Sequence, residues 1–178
     1  MAEQHPSFVQ PNDTSTPIWR YTDLSKFAWM LQRQALYFAR ADTLGDPYEG
    51  YSTRPMVEGY TEAIVDALRG VNQQQGKPFD EAAVRASARK RAHKPFARRL
   101  LYVNCWHVNQ HESAAMWKLY TSMRDSICIR SAYKQLWDCL PSKECYLGEV
   151  RYVDYETDAF DHSNLFSLVM HKRIFLRP

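Results

Sequence analysis

The sequence predicts an α+β protein: one domain with a mixed or antiparallel sheet, helices packed against it, and a two-helix insertion. Three observations predict it. Short β-prone runs alternate with helical patterns of unequal length, without the regular strand–helix repeat of a parallel α/β fold. Two consecutive helical patterns fill residues from about 55 to 98 with no strand-like run between them. The chain has 178 residues, 45% of them hydrophobic, which is the size of one ordinary domain with one sizeable core.

Taken in order, residues 1–17 mix Gln, Asn, Asp, Thr, Ser and Pro with almost no apolar run and read as a loose, flexible leader before a domain spanning 18–178. Ile18-Trp19-Arg20-Tyr21 is aromatic and β-prone, and Asp23 or Ser25 can cap a helix over 26–33 whose Phe27, Met30 and Leu31 share a face. An apolar strand over 35–39 leads into Gly45-Asp46-Pro47, where Pro fixes φ and Gly tolerates any conformation, so the chain turns. Val57, Tyr60, Ile64, Val65, Leu68 and Val71 recur at spacings of three and four, an amphipathic helix that the Gln-rich stretch 72–76 is expected to end. A second helix opens near Asp80 and runs to about His93, where Pro95 breaks it. Residues 100–106 form a strand by β propensity, 113–123 a helix with Met116, Trp117 and Tyr120 on one stripe, and 126–130 an alternating strand. A short helix carries Tyr133, Leu136, Trp137 and Leu140 before Pro141, a strand occupies 148–155, and Asn164 caps a last helix through about Phe175.

Composition excludes several classes. A net charge of +3 is too mild to imply a polyanion partner by itself, which must be read from the distribution of cations. Cys105, Cys128, Cys139 and Cys145 form no CxxC pair and follow no secretory signal, so reduced thiols in a cytoplasm are expected. No apolar stretch approaches the roughly 18 residues that cross a bilayer, so the expectation is a soluble protein without a membrane partner.

The chemistry-bearing residues lie at the ends of these elements. Arg20, Glu49, Glu112, Ser113, Lys172 and Arg173 all sit where loops can gather polar groups around one pocket, and cations there favour an anionic ligand such as a phosphate. Glu112 would act as a general base or orient a ribose hydroxyl; the alternative is that these residues are structural ion pairs and caps. Trp106, Trp117 and Tyr120 can stack on a base or simply fill a core. Cys105, His107 and His111 have spacing that invites zinc, but a loop holds both histidines and no second thiol is near, so no metal is expected. Cys105 as a nucleophile with His107 or His171 as base is disfavoured, since no partner geometry is visible and a buried cysteine usually just packs. Finally, Arg85, Arg89, Lys90, Arg91, Lys94, Arg98 and Arg99 crowd one span with no acid among them, a candidate nucleic-acid surface unless the acidic stretch 58–81 neutralises it.

Four landmarks occur together: Trp19-Arg20-Tyr21; Leu36-Tyr37-Phe38-Ala39 followed by Asp46-Pro47-Tyr48-Glu49; Cys105-Trp106 with Glu112-Ser113-Ala114-Ala115-Met116-Trp117 and Tyr120; and His171-Lys172-Arg173. In combination they resemble the bacterial family named domain of unknown function 2971, over nearly the whole stretch from Trp19 to Arg173. Within these landmarks Tyr21, Asp46 and His171 join the ligand-binding candidates, beside Arg20, Glu49 and Glu112 as catalytic ones. Members of that family usually continue with a Phe, acidic residues and a closing strand, so it also implies a truncated C-terminus here.

The function expected from these features is an enzyme acting on a nucleotide or nucleic acid, with the cofactor unspecified. An early Arg beside a Tyr and late polar residues share a broad layout with ADP-ribosyltransferases, an analogy of layout without a diagnostic triad. Two other readings stand beside it: a non-catalytic nucleic-acid-binding module of a defence or stress system, and a partial protein that keeps a structural remnant of its parent fold.

Overall fold

The computed structural model describes residues 5–46, 48–92, 97–121, 124–141, 145–161 and 164–174. The class is α+β, and the chain forms two compact units: Met1–Ala39 with Val103–Glu149, and Arg40–Tyr102 with Val150–Pro178.

In the first unit, β1 (Pro17–Asp23) is the central strand of a three-stranded antiparallel sheet, between β4 (His107–Val108) and β5 (Ser126–Ala132). Ile18, Trp19, Tyr21 and Thr22 are all buried, so β1 is covered on both faces. Its register sets Trp19 opposite both His107 and Arg130, and the Arg130 guanidinium lies 5.5 Å from the centre of the Trp19 ring. The core gathers Ile18 with Leu136 and Leu140 of the region around α5 (Tyr133–Cys139), together with Leu36, Trp106 and Leu147. The histidine segment expected as a loop is therefore in part a strand, because His107 and Val108 complete the free edge of β1.

α1 (Leu24–Arg33) follows β1 directly, with Leu24 N–H donating to the Asp125 carbonyl at 2.8 Å. Asp23 occupies its N-cap position but makes no cap hydrogen bond, since its carboxylate reaches Lys26 Nζ at 3.0 Å instead. α4 (Ala114–Tyr120) is shorter than expected and begins at Ser113, whose hydroxyl accepts from Met116 N–H at 3.4 Å. Residues 5–16, read from the sequence as a flexible leader, contact the rest of the unit. Val9 bridges to Glu149, Gln10 Nε2 donates to the Leu147 carbonyl at 2.9 Å, and the Tyr133 hydroxyl donates to Gln10 Oε1 at 2.6 Å. Gly148 allows this approach, because a Cβ there would come within 2.8 Å of Phe8 Cβ.

The second unit holds the helical insertion. α2 (Arg54–Gln75) runs through the Gln-rich stretch, Gln being a good helix former, and stops only where Gly76 takes φ +62°. α3 (Glu81–Ala92) opens as expected, with Asp80 Oδ1 accepting from Ala83 N–H at 3.0 Å. Arg69 meets Glu81 and Glu62 meets Arg85, so the two helices run in opposite directions. Leu168, Met56, Phe160 and Leu165 form an apolar core cluster of this unit.

The segment expected as a last helix differs most. Asn164 does cap, its Oδ1 accepting from Phe166 N–H at 2.8 Å, but the turn it opens is 3-10 and covers only Leu165–Leu168. The chain then enters β7 (His171–Arg173), parallel to β6 (Arg151–Val153), with Arg151 opposite His171 and Val153 opposite Arg173. Pairing to β6 overrides the helical pattern, and β6 is itself shorter than the expected strand over 148–155. The expected strands over 35–39 and 100–106 reduce to β2 (Ala39–Arg40) and β3 (Tyr102–Val103), which pair with each other. Among the described residues, no helix is long and apolar enough to cross a membrane.

Candidate functional site

The candidates chosen from sequence fall into both units. Arg20, Tyr21, Trp106, Glu112, Ser113, Trp117 and Tyr120 belong to the first; Asp46, Glu49, His171, Lys172 and Arg173 belong to the second.

In the first unit these side chains complete one another. The Arg20 guanidinium donates to Asn104 Oδ1 at 2.7 Å and to the Cys105 carbonyl at 3.1 Å, and lies 6.0 Å from the Trp106 ring centre. Trp106 Nε1 donates to the same Asn104 oxygen at 2.8 Å, while Asn104 Nδ2 donates to the Tyr37 carbonyl at 2.7 Å. Arg20 is thus a brace for the loop between β3 and β4, and its burial there lowers its pKa from the ordinary value. The Tyr21 hydroxyl accepts from Ser113 N–H at 2.7 Å, its ring meets Trp117 edge-on at 5.3 Å, and burial raises its pKa. Glu112 Oε2 accepts from Trp117 Nε1 at 3.1 Å. Arg20 and Glu112, the catalytic candidates of this unit, are thus each engaged within it, Arg20 by Asn104 and the Cys105 carbonyl and Glu112 by Trp117. Tyr120 is exposed, and so is Cys105, which the sequence placed at the end of a strand.

The second unit builds something different around Asp46–Tyr51. Asp46 Oδ1 accepts from Tyr48 N–H at 2.8 Å and sets the bend. Glu49 follows, only 2% exposed, with Lys172 Nζ at 2.9 Å from its Oε2 but off the hydrogen-bonding direction. The next strand residue, Arg173, places its guanidinium 4.2 Å from the centre of the Tyr48 ring. Arg98 lies under the bend, 5.0 Å from the Tyr51 ring centre and with Nη2 donating to the carbonyls of Ala41 at 3.4 Å and Asp46 at 3.5 Å. Gly50 makes this possible: it takes φ +77°, and a Cβ there would sit 2.9 Å from Arg98 Cγ. His171 is stacked on Phe160 at 3.9 Å with Nδ1 2.7 Å from the Ser167 carbonyl. Glu49 thus closes an ion pair with Lys172, and His171 packs on the Phe160 ring.

The bend carries Tyr48 and Tyr51 into an open cleft of about 580 Å³, shared with Tyr155, Ser52, Arg54 and Arg89 and edged by Val57, Glu58 and Glu156. The Tyr155 hydroxyl donates to the Tyr48 carbonyl at 3.1 Å, and burial pushes its pKa up to about 12, so it is a neutral donor and not a base. Arg54 Nε lies 2.9 Å from Glu58 Oε1 and its Nη1 lies 3.5 Å from Glu156 Oε2. Arg89 has no partner among the described residues. Sequence reasoning overlooked Tyr51, Arg54, Tyr155 and Glu156. The signal for Tyr51 and Arg54 was present, since both follow closely on the Asp46 turn, but nothing links Tyr155 to them along the chain.

Three of the seven cations in the basic segment are engaged by neighbours. Arg85 forms a two-pronged pair with Glu62, Nη2 to Oε2 at 2.8 Å, and a further pair with Glu81 at 2.9 Å. Arg98 is under the bend, and Arg99 Nε lies 3.7 Å from Asp42 Oδ2. Arg89, Lys90 and Arg91 occupy successive positions in the last turn of α3 and so fan out at about 100° steps. Lys94, the seventh member, lies outside the described residues, as do Pro47 and the C-terminal residues 175–178. No group of three or more His, Cys, Asp or Glu among the described residues is placed to hold a metal ion. Comparison with known proteins finds no matching family model, no matching curated protein and no matching solved structure.

Proposed function

We propose that the protein binds a nucleotide in the cleft of its second unit, with the base against the tyrosines and the phosphate at Arg89. The observation that carries this is the combination in one concavity of three tyrosine rings and an arginine with no partner among the described residues. Aromatic faces stack on any base, at about 1–3 kcal/mol per base, and a guanidinium offers a two-pronged grip on phosphate oxygens. A cavity of about 580 Å³ falls in the range that holds small ligands. The Tyr48 and Tyr51 rings each carry an arginine against them, which holds the rings in place before any ligand arrives.

A nucleotide fits better than a nucleic-acid strand. A phosphodiester backbone needs a continuous track of cations, whereas Arg85, Arg98 and Arg99 are engaged within the fold and Arg89, Lys90 and Arg91 diverge around the helix. The test is a melting series with AMP, adenosine and inorganic phosphate. AMP should raise the melting temperature more than either part alone, Tyr51→Ala should weaken both AMP and adenosine, and Arg89→Ala should weaken AMP only. A melting temperature indifferent to all three ligands disposes of the reading.

A further inference from the structure

Resting on that nucleotide reading, we infer that Arg54 is a second phosphate-binding residue of the cleft and that Glu58 and Glu156 are built-in competitors that hold it in the empty state. Arg54 is the first residue of the 22-residue α2, at the end where the helix dipole is positive, and it lines the same cleft as Arg89. Its guanidinium is already engaged by two carboxylates from different elements: Glu58 one turn along α2, and Glu156 just after β6. Two anionic groups on one guanidinium fork stand where phosphate oxygens would stand.

All three side chains are mostly solvent-exposed, 66% for Arg54, 52% for Glu58 and 60% for Glu156. Exposed pairs are weak, so a phosphate can displace them, and the pairs tune affinity without blocking the site. With both acids charged the four ionised groups at the cleft sum to zero: Arg54 and Arg89 against Glu58 and Glu156. Neutralising one acid turns the local field positive, and the resulting gain scales with the charge on the ligand.

The experiment measures dissociation constants by calorimetry for adenosine, the methyl ester of AMP (one charge) and AMP itself, on the full chain and on Glu156→Gln and Glu58→Gln. Each variant should tighten AMP by about two- to fivefold, the methyl ester less, and adenosine not at all. Arg54→Gln in the Glu156→Gln background should cancel the gain. Glu62→Gln, which removes the same charge from the Arg85 pair outside the cleft, is the control and should leave all three constants unchanged. An equal gain for adenosine, an equal gain in the Glu62→Gln control, or AMP binding unmoved by both cleft variants overturns the inference while the nucleotide reading stands. Failure of any ligand to bind any of these proteins overturns both.

Discussion

The two units use their polar aromatic residues differently. In the first, the indole N–H groups of Trp19, Trp106 and Trp117 donate to Asn109, Asn104 and Glu112, and the Tyr133 hydroxyl donates to Gln10. Those bonds hold short strands and loops together. In the second, a bend braced by Arg98, Lys172 and Arg173 presents Tyr48 and Tyr51 to an open cleft with Tyr155 and Arg89. The difference teaches that a charge at the end of an element says little about function until its partners are known. Arg20 has two acceptors and a ring beneath it, whereas Arg89 has no partner among the described residues.

Breaking the bracing of the bend should give the largest effects. Lys172→Met leaves the Glu49 carboxylate buried without its cation and should cost about 2–4 kcal/mol in urea unfolding, and adding Glu49→Gln should recover much of that. Gly50→Ala comes next, at about 1–2 kcal/mol, because Ala resists φ +77° and its Cβ meets Arg98 Cγ. If the bracing serves ligand binding, the same substitution also weakens AMP.

Alkaline pH probes both units at once. Tyr133 in the first and Tyr155 in the second each have a pKa pushed up to about 12, chiefly by burial, from an ordinary value of 10.0. Each neutral phenol therefore contributes stability that is fully present below pH 10 and is lost as the pH rises towards 12. Stability measured across that window should fall, and Tyr133→Phe and Tyr155→Phe should each flatten the slope. A stability flat from pH 10 to 12 would contradict the burial of both phenols. The smallest effect is expected at Arg85, whose pairs with Glu62 and Glu81 are partly solvent-exposed: Arg85→Ala should lower the melting temperature only slightly.

Much of the fold is legible in the sequence because local signals settle it. The periodicity of α2, the Asp80 cap of α3, the Ser113 cap of α4 and the β-prone runs of β1 and β5 all act within a few residues. Long-range pairing is not legible in that way. Residues 171–173 become β7 only because β6 lies beside them, and Gln10 is ordered only because Leu147 and Tyr133 accept and donate across most of the first unit's chain. The candidate site divides along the same line. Charge picked out Arg20 and Glu112, which Asn104 and Trp117 absorb, while Tyr155 reaches Tyr48 from 107 positions away and carries no local mark.

The central claim is that the open cleft, and not the braced polar cluster of the first unit, takes the ligand. Titrating isotope-labelled protein with AMP and following backbone amide resonances tests it directly. The account predicts saturable shifts concentrated at Tyr48, Tyr51, Ser52, Arg54, Arg89 and Tyr155. Shifts concentrated at Arg20, Trp106, Glu112 and Trp117, or none at any residue at millimolar AMP, would contradict it.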